Sequence, residues 1–320
     1  MPRPSNESLA LVPRPLEGGR GLDFDFPGLE IGAAEYAEGP TGCTVFHFPE
    51  RAIVAIDVRG GAPGWSGGDG LVDAICLAGG SAYGLEAISG VRAELLARRG
   101  YSTDWLDIAL VVGAIIYDFG PRDSAVYPDA ALGRAALRSA RPGWFPLGPR
   151  GAGRSATVGK LLRGRDGRET AGQGGAFRQV GPIRVAVFTV VNAVGAIVDR
   201  RGRVVRGNRD PATGARGDLL DDLERSLAEA TSPPPGNTTL TVVVTDRRLS
   251  AHELRQLGRQ VHASMARAIQ PFHAPTDGDV LFAVTTGAVD DDRLPSTLLA
   301  TLASELAWDA VLTSAFPLSS

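Results

Sequence analysis

Cysteine, histidine and net charge are all scarce in this sequence, and each scarcity argues against a class of protein. The two cysteines cannot supply a disulfide framework, and each lies in an apolar stretch where a buried free thiol is expected. The four histidines show no paired ligand spacing, so we predict no metal site. With a net charge of −3, the sequence does not favour nucleic acid or a membrane surface as a partner.

Long uninterrupted apolar runs are also missing. The longest run, 183–198, is interrupted by Arg184 and Asn192, so it predicts core strands rather than a membrane span. The N-terminus lacks the charged-then-apolar order of a signal peptide. Hydrophobic residues make up 43% of the chain and charged residues 22%, which is typical of a globular protein. We therefore expect a cytoplasmic enzyme.

A dense run of β-branched residues, 238–246, is the most informative stretch. Such residues favour a buried strand. The preceding residues 232–236, Ser-Pro-Pro-Pro-Gly, cannot continue a helix and indicate an exposed connector. Thr238 is thus predicted to lie where a loop enters a buried strand. It could simply open that strand, or the chain could cut itself there and free the α-amine of Thr238.

That cut would create a complete nucleophile. A threonine hydroxyl needs a base beside it, and a free α-amine with a pKa of about 7.7–8.0 can take its proton. Before cleavage, the Thr238 hydroxyl could attack the carbonyl carbon of Asn237 and shift the chain from amide to ester, which water then opens. Asn237 and Thr238 are therefore the candidate self-cleavage residues.

Two other motifs are weaker. Residues 64–68 match G-x-S-x-G around Ser66, but that motif needs a strand directly before the serine and a helix directly after it, and the sequence predicts neither. Residues 154–161 approach a phosphate-binding loop, but Leu161 replaces the Ser/Thr that would hold magnesium. We expect no ATP and no other cofactor. The histidines are expected to be surface or structural residues.

Three polar side chains in apolar surroundings need partners. Asn192 lies within a β-rich run, where its amide either bonds to neighbouring backbone or donates to an oxyanion. Asp277 and Asp279 flank a glycine. They form an ordinary turn, or they hold an ammonium group through charge-assisted bonds, either that of an N-terminal threonine or that of a substrate.

The remaining pattern predicts an α/β protein. Residues 44–48 and 52–58 read as two short strands joined by a turn, and 108–117 as a buried strand. Helices are predicted over 218–230 and over 250–269, the latter with a capping box between Ser250 and Glu253. Buried strands and long helices without βαβ alternation indicate helices packed outside stacked sheets.

Six runs together resemble one family, the self-processing L-aminopeptidase/D-esterases, which include the β-aminopeptidases. The runs follow the family's order over nearly the whole chain and occupy 59–64, 79–85, 151–153 with 159–160, 191–193, 237–239 with 244–246, and 275–279. The resemblance implies a four-layer α/β/β/α sandwich, shared with the ornithine acetyltransferases. It implies one domain, 1–320, cut into a large subunit 1–237 and a small subunit 238–320, with no cofactor.

The resemblance also implies roles for the candidate residues. Thr238 would be the nucleophile and, through its amine, the base. Asn192 matches the family's oxyanion-hole asparagine, and Asp277 and Asp279 match a pair that supports the nucleophile and amine. Tyr117 lies near a tyrosine that assists in some members. A small peptide or amide substrate and a homotetramer are implied as well.

Two departures leave the substrate open. Most characterised aminopeptidases of the family use serine, whereas Thr238 places this chain with a branch that includes a pantetheine-type amide hydrolase. Residues 65–69 also differ from the Thr-Arg-Glu-rich run expected there. The leading hypothesis is an amide hydrolase acting through an acyl-enzyme. The alternatives are an acyltransferase of the ornithine acetyltransferase type, or an uncleaved small-molecule binding protein.

Overall fold

The computed structural model describes residues 3–161, 167–217, 220, 223, 224, 227 and 236–315. Its helices are α1 (Glu86–Arg98), α2 (Ala130–Arg138), α3 (Ala251–Ser264) and α4 (Ser296–Ala315). Its strands are β1 (Arg14–Pro15), β2 (Gly21–Asp23), β3 (Glu30–Tyr36), β4 (Thr41–Val58), β5 (Trp65–Ser66), β6 (Gly70–Ala78), β7 (Val111–Ile115), β8 (Arg141–Pro142), β9 (Trp144–Pro146), β10 (Thr157–Val158), β11 (Glu169–Thr170), β12 (Gln173–Val180), β13 (Ile183–Asn192), β14 (Ala196–Val198), β15 (Val204–Arg206), β16 (Thr238–Arg247), β17 (Ile269–Gln270) and β18 (Val280–Val289).

One large sheet connects most of these strands, in the order β12-β13-β16-β18-β4-β6-β7-β5, with β3 also paired to β4. Most neighbours are antiparallel, but β16 with β18 and β6 with β7 are parallel. The two strands that follow residue 237 in this sheet, β16 and β18, lie between β13 and β4. The segment after residue 237 is therefore built into the middle of the sheet.

Strand β4 corrects the prediction of two short strands. It runs through the Pro-Glu-Arg segment without a turn, because a bulge between His47 and Ala52 absorbs the extra residues, with Arg51 at a φ of 59°. Its first part pairs with β3 and its second part with β18. Strand β4 thus belongs to both halves of the sheet.

Alternating side chains of the strands sort into separate cores. In β16, Val242 faces an inner core that also contains Phe46 and Ile75 from the other half of the sheet. The adjacent Val243 instead faces an outer core with α3 and α4. On the far side, α1 and α2 cover β3, β6 and β7. The two halves of the sheet therefore face each other across the inner core, with helices outside each half. The layers are helix, sheet, sheet, helix, so the predicted α/β sandwich is confirmed.

Element boundaries differ from the sequence predictions in two places. The strand predicted over 108–117 is shorter, Val111–Ile115. The helix predicted over 250–269 stops at Ser264 and continues as a 3₁₀ turn and β17, although its capping box is confirmed. The helix predicted over 218–230 lies outside the residues that are described continuously. Among the described residues, no helix is long and apolar enough to cross a membrane.

Candidate active site

A close contact with Tyr117 shapes the junction where the chain enters β16. Gly236 has a φ of +86°, a left-handed conformation that glycine adopts without strain. A side chain would not fit, because a Cβ on Gly236 would lie 2.5 Å from the Tyr117 ring. Asn237 and Thr238 follow, both buried, and Thr238 is the first residue of β16.

The carbonyl oxygen of Asn237 accepts two hydrogen bonds. The Gly278 N–H donates to it at 2.7 Å, and the Thr238 hydroxyl donates to it at 2.5 Å. The hydroxyl therefore lies against the carbonyl group that it would attack in self-cleavage. The Gly278 amide points at the oxygen on which negative charge would develop, an arrangement that stabilises an oxyanion.

Asn192 ends β13 directly opposite Thr238 in the antiparallel register. Its side-chain oxygen accepts from the Thr157 N–H at 3.0 Å, and its Nδ2 donates to the Tyr117 carbonyl at 3.0 Å. The backbone contacts considered at the sequence level are therefore present. An amide carries two N–H donors, and the second one on Nδ2 has no partner among the described residues, so it can donate to a substrate oxygen.

Lys160 is a site residue that the sequence analysis did not single out. It is buried, and its ammonium group donates to both the carbonyl oxygen of Asn192 at 3.0 Å and its side-chain oxygen at 3.1 Å. Burial lowers the pKa of Lys160 to about 7, against the opposing charge of Asp277. A signal was present, since Lys160 is the only lysine in a chain with 32 arginines. A lysine can lose its proton where an arginine cannot.

Asp277 and Asp279 lie side by side and fully buried, but they bond to backbone. Asp277 accepts from the N–H groups of Val194 at 3.3 Å and Ala274 at 3.1 Å. Asp279 accepts from the Thr239 N–H at 2.6 Å. Burial first, and then the charge of Asp279, raise the pKa of Asp277 to about 7.

Tyr117 begins a row of aromatic rings that leads away from Thr238. The Tyr117 ring packs on Gly236 and lies 5.7 Å from the Phe119 ring, edge to face. Tyr83 follows at 6.4 Å from Phe119, and Tyr127 lies 5.7 Å from Tyr83. Tyr83 is 67% exposed. We call these four residues the aromatic row.

The structure also shows where the two weaker motifs and two of the histidines lie. Ser66 lies on a short strand paired with β7 and is followed by another strand, so no nucleophile elbow forms there. The residues that resembled a phosphate loop place Lys160 against Asn192. His262 is buried as a structural residue, but His273 contacts Asp279 and was missed. Within the described residues, no cluster of His, Cys, Asp and Glu could hold a metal ion.

Comparison with known proteins shows the family to which the chain belongs. The family described as Peptidase family S58 matches residues 24–316. The chain belongs to peptidase family S58. This S58 chain is 50% identical over 321 residues to 6-aminohexanoate-oligomer endohydrolases of Agromyces sp. (strain KY5R) and Paenarthrobacter ureafaciens, with 97% of this chain and 90% of each relative covered. It is a hydrolase of a family that cleaves amide bonds.

Solved structures show the fold at lower identity. A Burkholderia sp. β-aminopeptidase matches with a TM-score of 0.62 at 18% identity, over 92% of this S58 chain and 88% of that chain. The L-aminopeptidase D-Ala-esterase/amidase of Ochrobactrum anthropi matches with a TM-score of 0.64 at 18% identity, over 98% and 90%. The latter is described as a variant of the Ntn hydrolase fold. The predicted family and fold are confirmed.

Proposed function

We propose that this S58 hydrolase cuts itself between Asn237 and Thr238 and that Thr238 is then its nucleophile. The observation that carries the proposal is the Thr238 hydroxyl, held 2.5 Å from the carbonyl oxygen of Asn237 while the Gly278 N–H donates to the same oxygen. In the cut, the hydroxyl oxygen bonds to the Asn237 carbonyl carbon as the C–N bond breaks. The hydroxyl proton moves to the leaving nitrogen, and water then hydrolyses the ester.

Turnover uses the hydroxyl of Thr238 and the α-amine that the cut sets free. The Thr238 hydroxyl attacks a substrate amide, its own α-amine takes the hydroxyl proton, and that proton passes to the leaving amine. Water hydrolyses the resulting acyl ester and restores the hydroxyl. The unused Nδ2 donor of Asn192, opposite Thr238, is placed to bind the substrate oxyanion. Lys160 orients that amide from its other side.

The two pieces would remain one folded unit after the cut. Strands β16 and β18 come from the segment after residue 237, yet they lie between β13 and β4 of the preceding segment. Separating the pieces would break three hydrogen-bonded strand pairings, β13 with β16, β4 with β18 and β14 with β17, and expose the inner core. We therefore propose a single domain made of 1–237 and 238–320.

We propose that the substrate is a linear oligomer of an ω-amino acid, cut at internal amide bonds. Both 50% identical relatives are named 6-aminohexanoate-oligomer endohydrolases. The candidate acids for holding the ammonium group of an aminopeptidase substrate, Asp277 and Asp279, are fully buried and bonded to backbone. The partly exposed aromatic row instead offers an uncharged surface suited to methylene and amide groups.

Two isosteric variants test the self-cleavage. Thr238→Val removes the proposed nucleophile, and Thr239→Val is the matched control, because the Thr239 hydroxyl is buried and has no hydrogen-bond partner among the described residues. Intact mass spectrometry should show two pieces for the wild type and for Thr239→Val, and one 33.4 kDa chain for Thr238→Val. A wild type that stays whole, or a small piece that does not begin Thr-Thr-Leu, would refute the proposal.

End-capped oligomers test the substrate. A 6-aminohexanoate oligomer with its amine acetylated and its acid amidated should be cleaved with a kcat/KM close to that of the uncapped oligomer. Cleavage of the uncapped form alone would show an aminopeptidase instead. Adding free amines to the same assay detects the acyltransferase alternative, which would yield a transfer product in place of the free acid.

An exposed apolar patch supports a homo-oligomer. Trp105, Leu106 and Tyr101 are 88%, 77% and 70% exposed on the segment after α1. Arg51 of β4 donates to the carbonyl oxygen of Leu106, and this hydrogen bond holds the segment against β4. Ile53 of β4 and Leu71 of β6, which pair with each other, are also exposed. Apolar patches of this kind mark interaction sites. We propose that a second copy of the chain covers this apolar patch.

A further inference from the structure

Two histidines extend the site behind Asp279. The His273 ring Nδ1 lies 3.0 Å from Asp279 Oδ2, and the His273 backbone N–H donates to the same oxygen at 3.1 Å. The other carboxylate oxygen of Asp279 accepts from the Thr239 N–H at 2.6 Å. Thr239 is the residue directly after the proposed nucleophile. Of the three hydrogen-bond donors around Asp279, His273 therefore supplies two.

The His273 ring is itself held in place. It lies perpendicular to the His262 ring, with 4.4 Å between ring centroids, and against the Phe272 ring at 3.9 Å. His262 is fully buried in α3, and its Nδ1 lies 2.9 Å from Asp57 Oδ2. Asp57 in turn pairs with Arg59 at 2.6 Å. A continuous row of contacts therefore connects Asp57 to Asp279.

The charge state of Asp57 and His262 follows from their surroundings. Burial raises the pKa of Asp57, but hydrogen bonds from His262 and Arg59 outweigh it and hold that pKa below its usual value. Burial lowers the pKa of His262. His262 is therefore a neutral ring that donates from Nδ1 to the Asp57 carboxylate. Its Nε2 is buried without a partner among the described residues, which suits a bare lone pair.

We propose that His273 is a positioning residue for Thr238, acting through Asp279, with His262 and Asp57 holding the His273 ring. This inference rests on the proposed function. The path has three steps: His273 donates to Asp279, Asp279 accepts from the Thr239 amide, and that amide adjoins Thr238. His273 makes no described contact with Thr238 itself, so its loss should lower kcat rather than substrate affinity.

Two substitutions separate the hydrogen bond from the backbone requirement. His273 has a φ of 60°, a left-handed conformation that asparagine and glycine both tolerate. The amide nitrogen of His273→Asn can occupy the place of Nδ1, because both atoms are bonded to Cγ. His273→Gly keeps the backbone conformation but removes the side-chain donor. His252→Asn, on an exposed histidine of the same helix as His262, is the control.

The experiment uses the full chain and an end-capped 6-aminohexanoate oligomer. For His273→Gly we expect self-cleavage and kcat to fall about 10- to 100-fold, as for a misplaced nucleophile, with KM within about 3-fold of the wild-type value. His273→Asn should keep kcat within about 3-fold of the wild-type value. Equal kcat for His273→Gly and wild type, or equal losses for both variants, would overturn the inference.

Failure of the proposed function would look different. In that case the wild type would stay uncut, or Thr238→Val would be as active as the wild type, whatever His273 does. If only the positioning role fails, the wild type is cut and active, Thr238→Val is inactive, and His273→Gly behaves as the wild type. Melting temperatures of the two His273 variants, measured in the uncut Thr238→Val background, show whether a loss of kcat is merely a loss of fold.

Discussion

At the scale of single residues, the site depends on atoms that leave no room for substitution. Gly278 donates its N–H to the Asn237 carbonyl and lies against the Thr238 hydroxyl. A Cβ on Gly278 would lie 2.7 Å from that hydroxyl oxygen and 2.8 Å from the Ala62 carbonyl. The glycine between the two aspartates is therefore needed for close approach, and not only for a turn.

Gly278→Ala should slow self-cleavage by about 100-fold, because the new methyl group displaces either the hydroxyl or the amide that stabilises the oxyanion. The rate is measured by following the two pieces with intact mass spectrometry after synthesis. Gly68→Ala is the control, since a Cβ there meets nothing within 4 Å. A Gly278→Ala chain cut as fast as the control would contradict the assigned oxyanion donor.

Lys160 predicts a dependence of stability on pH. Its pKa is lowered to about 7 in the folded chain, against about 10.4 for an unfolded lysine. Between pH 7 and pH 10 the unfolded chain thus holds a proton that the folded chain has released, so the free energy of unfolding rises with pH. Below pH 7 both states are protonated, and this rise is absent.

Lys160→Met should abolish that rise. In the uncut Thr238→Val background, the free energy of unfolding of Lys160→Met should change less between pH 7 and pH 10, by on the order of 2–4 kcal/mol relative to the parent. Urea titrations at both pH values measure it. Groups that do not interact with Lys160 cancel in the comparison, whereas Asp277, whose pKa the charge of Lys160 lowers, contributes to the difference near pH 7. Parallel pH curves for the two proteins would show that Lys160 is charged in the folded chain.

At the scale of elements, the sequence predicted best where a pattern is local. The β-branched run over β16 and the capping box of α3 depend on neighbours in the chain, and both are confirmed. The sequence predicts two strands in place of β4, because Pro49, Glu50 and Arg51 resemble a turn. Only the partners on both sides, β6 and β18, show that this segment is a bulge within one strand.

The aromatic row joins two segments and predicts a dependence on substrate length. Tyr83 precedes α1 and Tyr117 follows β7, yet Phe119 connects their rings. Tyr83→Ser should raise KM severalfold for long 6-aminohexanoate oligomers and leave KM for the dimer unchanged. A dimer has only one unit on each side of the scissile amide, whereas Tyr83 lies beyond Tyr117 and Phe119 in the aromatic row. Steady-state kinetics with both substrates measure it, with Leu298→Ser, at an exposed leucine outside both the aromatic row and the apolar patch, as control. Equal changes for both lengths would exclude a binding role for Tyr83.

At the scale of the whole molecule, the proposed second copy can be tested by mass in solution. Trp105→Ser combined with Leu106→Ser should lower the mass measured by light scattering to that of one chain, 33.4 kDa, because the apolar patch no longer gains from burial. Leu298→Ser, at a similarly exposed leucine on α4, is the control. A wild type that is already a monomer, or a double variant of unchanged mass, would contradict the proposal.

The sequence by itself determined the family, the α/β class and the position of Thr238 at the start of a buried strand, because periodicity and motif order are properties of neighbouring residues. Tertiary structure alone decided which groups surround that threonine. Lys160 and Asn192 are 32 residues apart in the chain, and His273 reaches Asp57 only through His262. These contacts form because the strands of one sheet and the helix packed on it bring distant segments together, and no local pattern records that pairing.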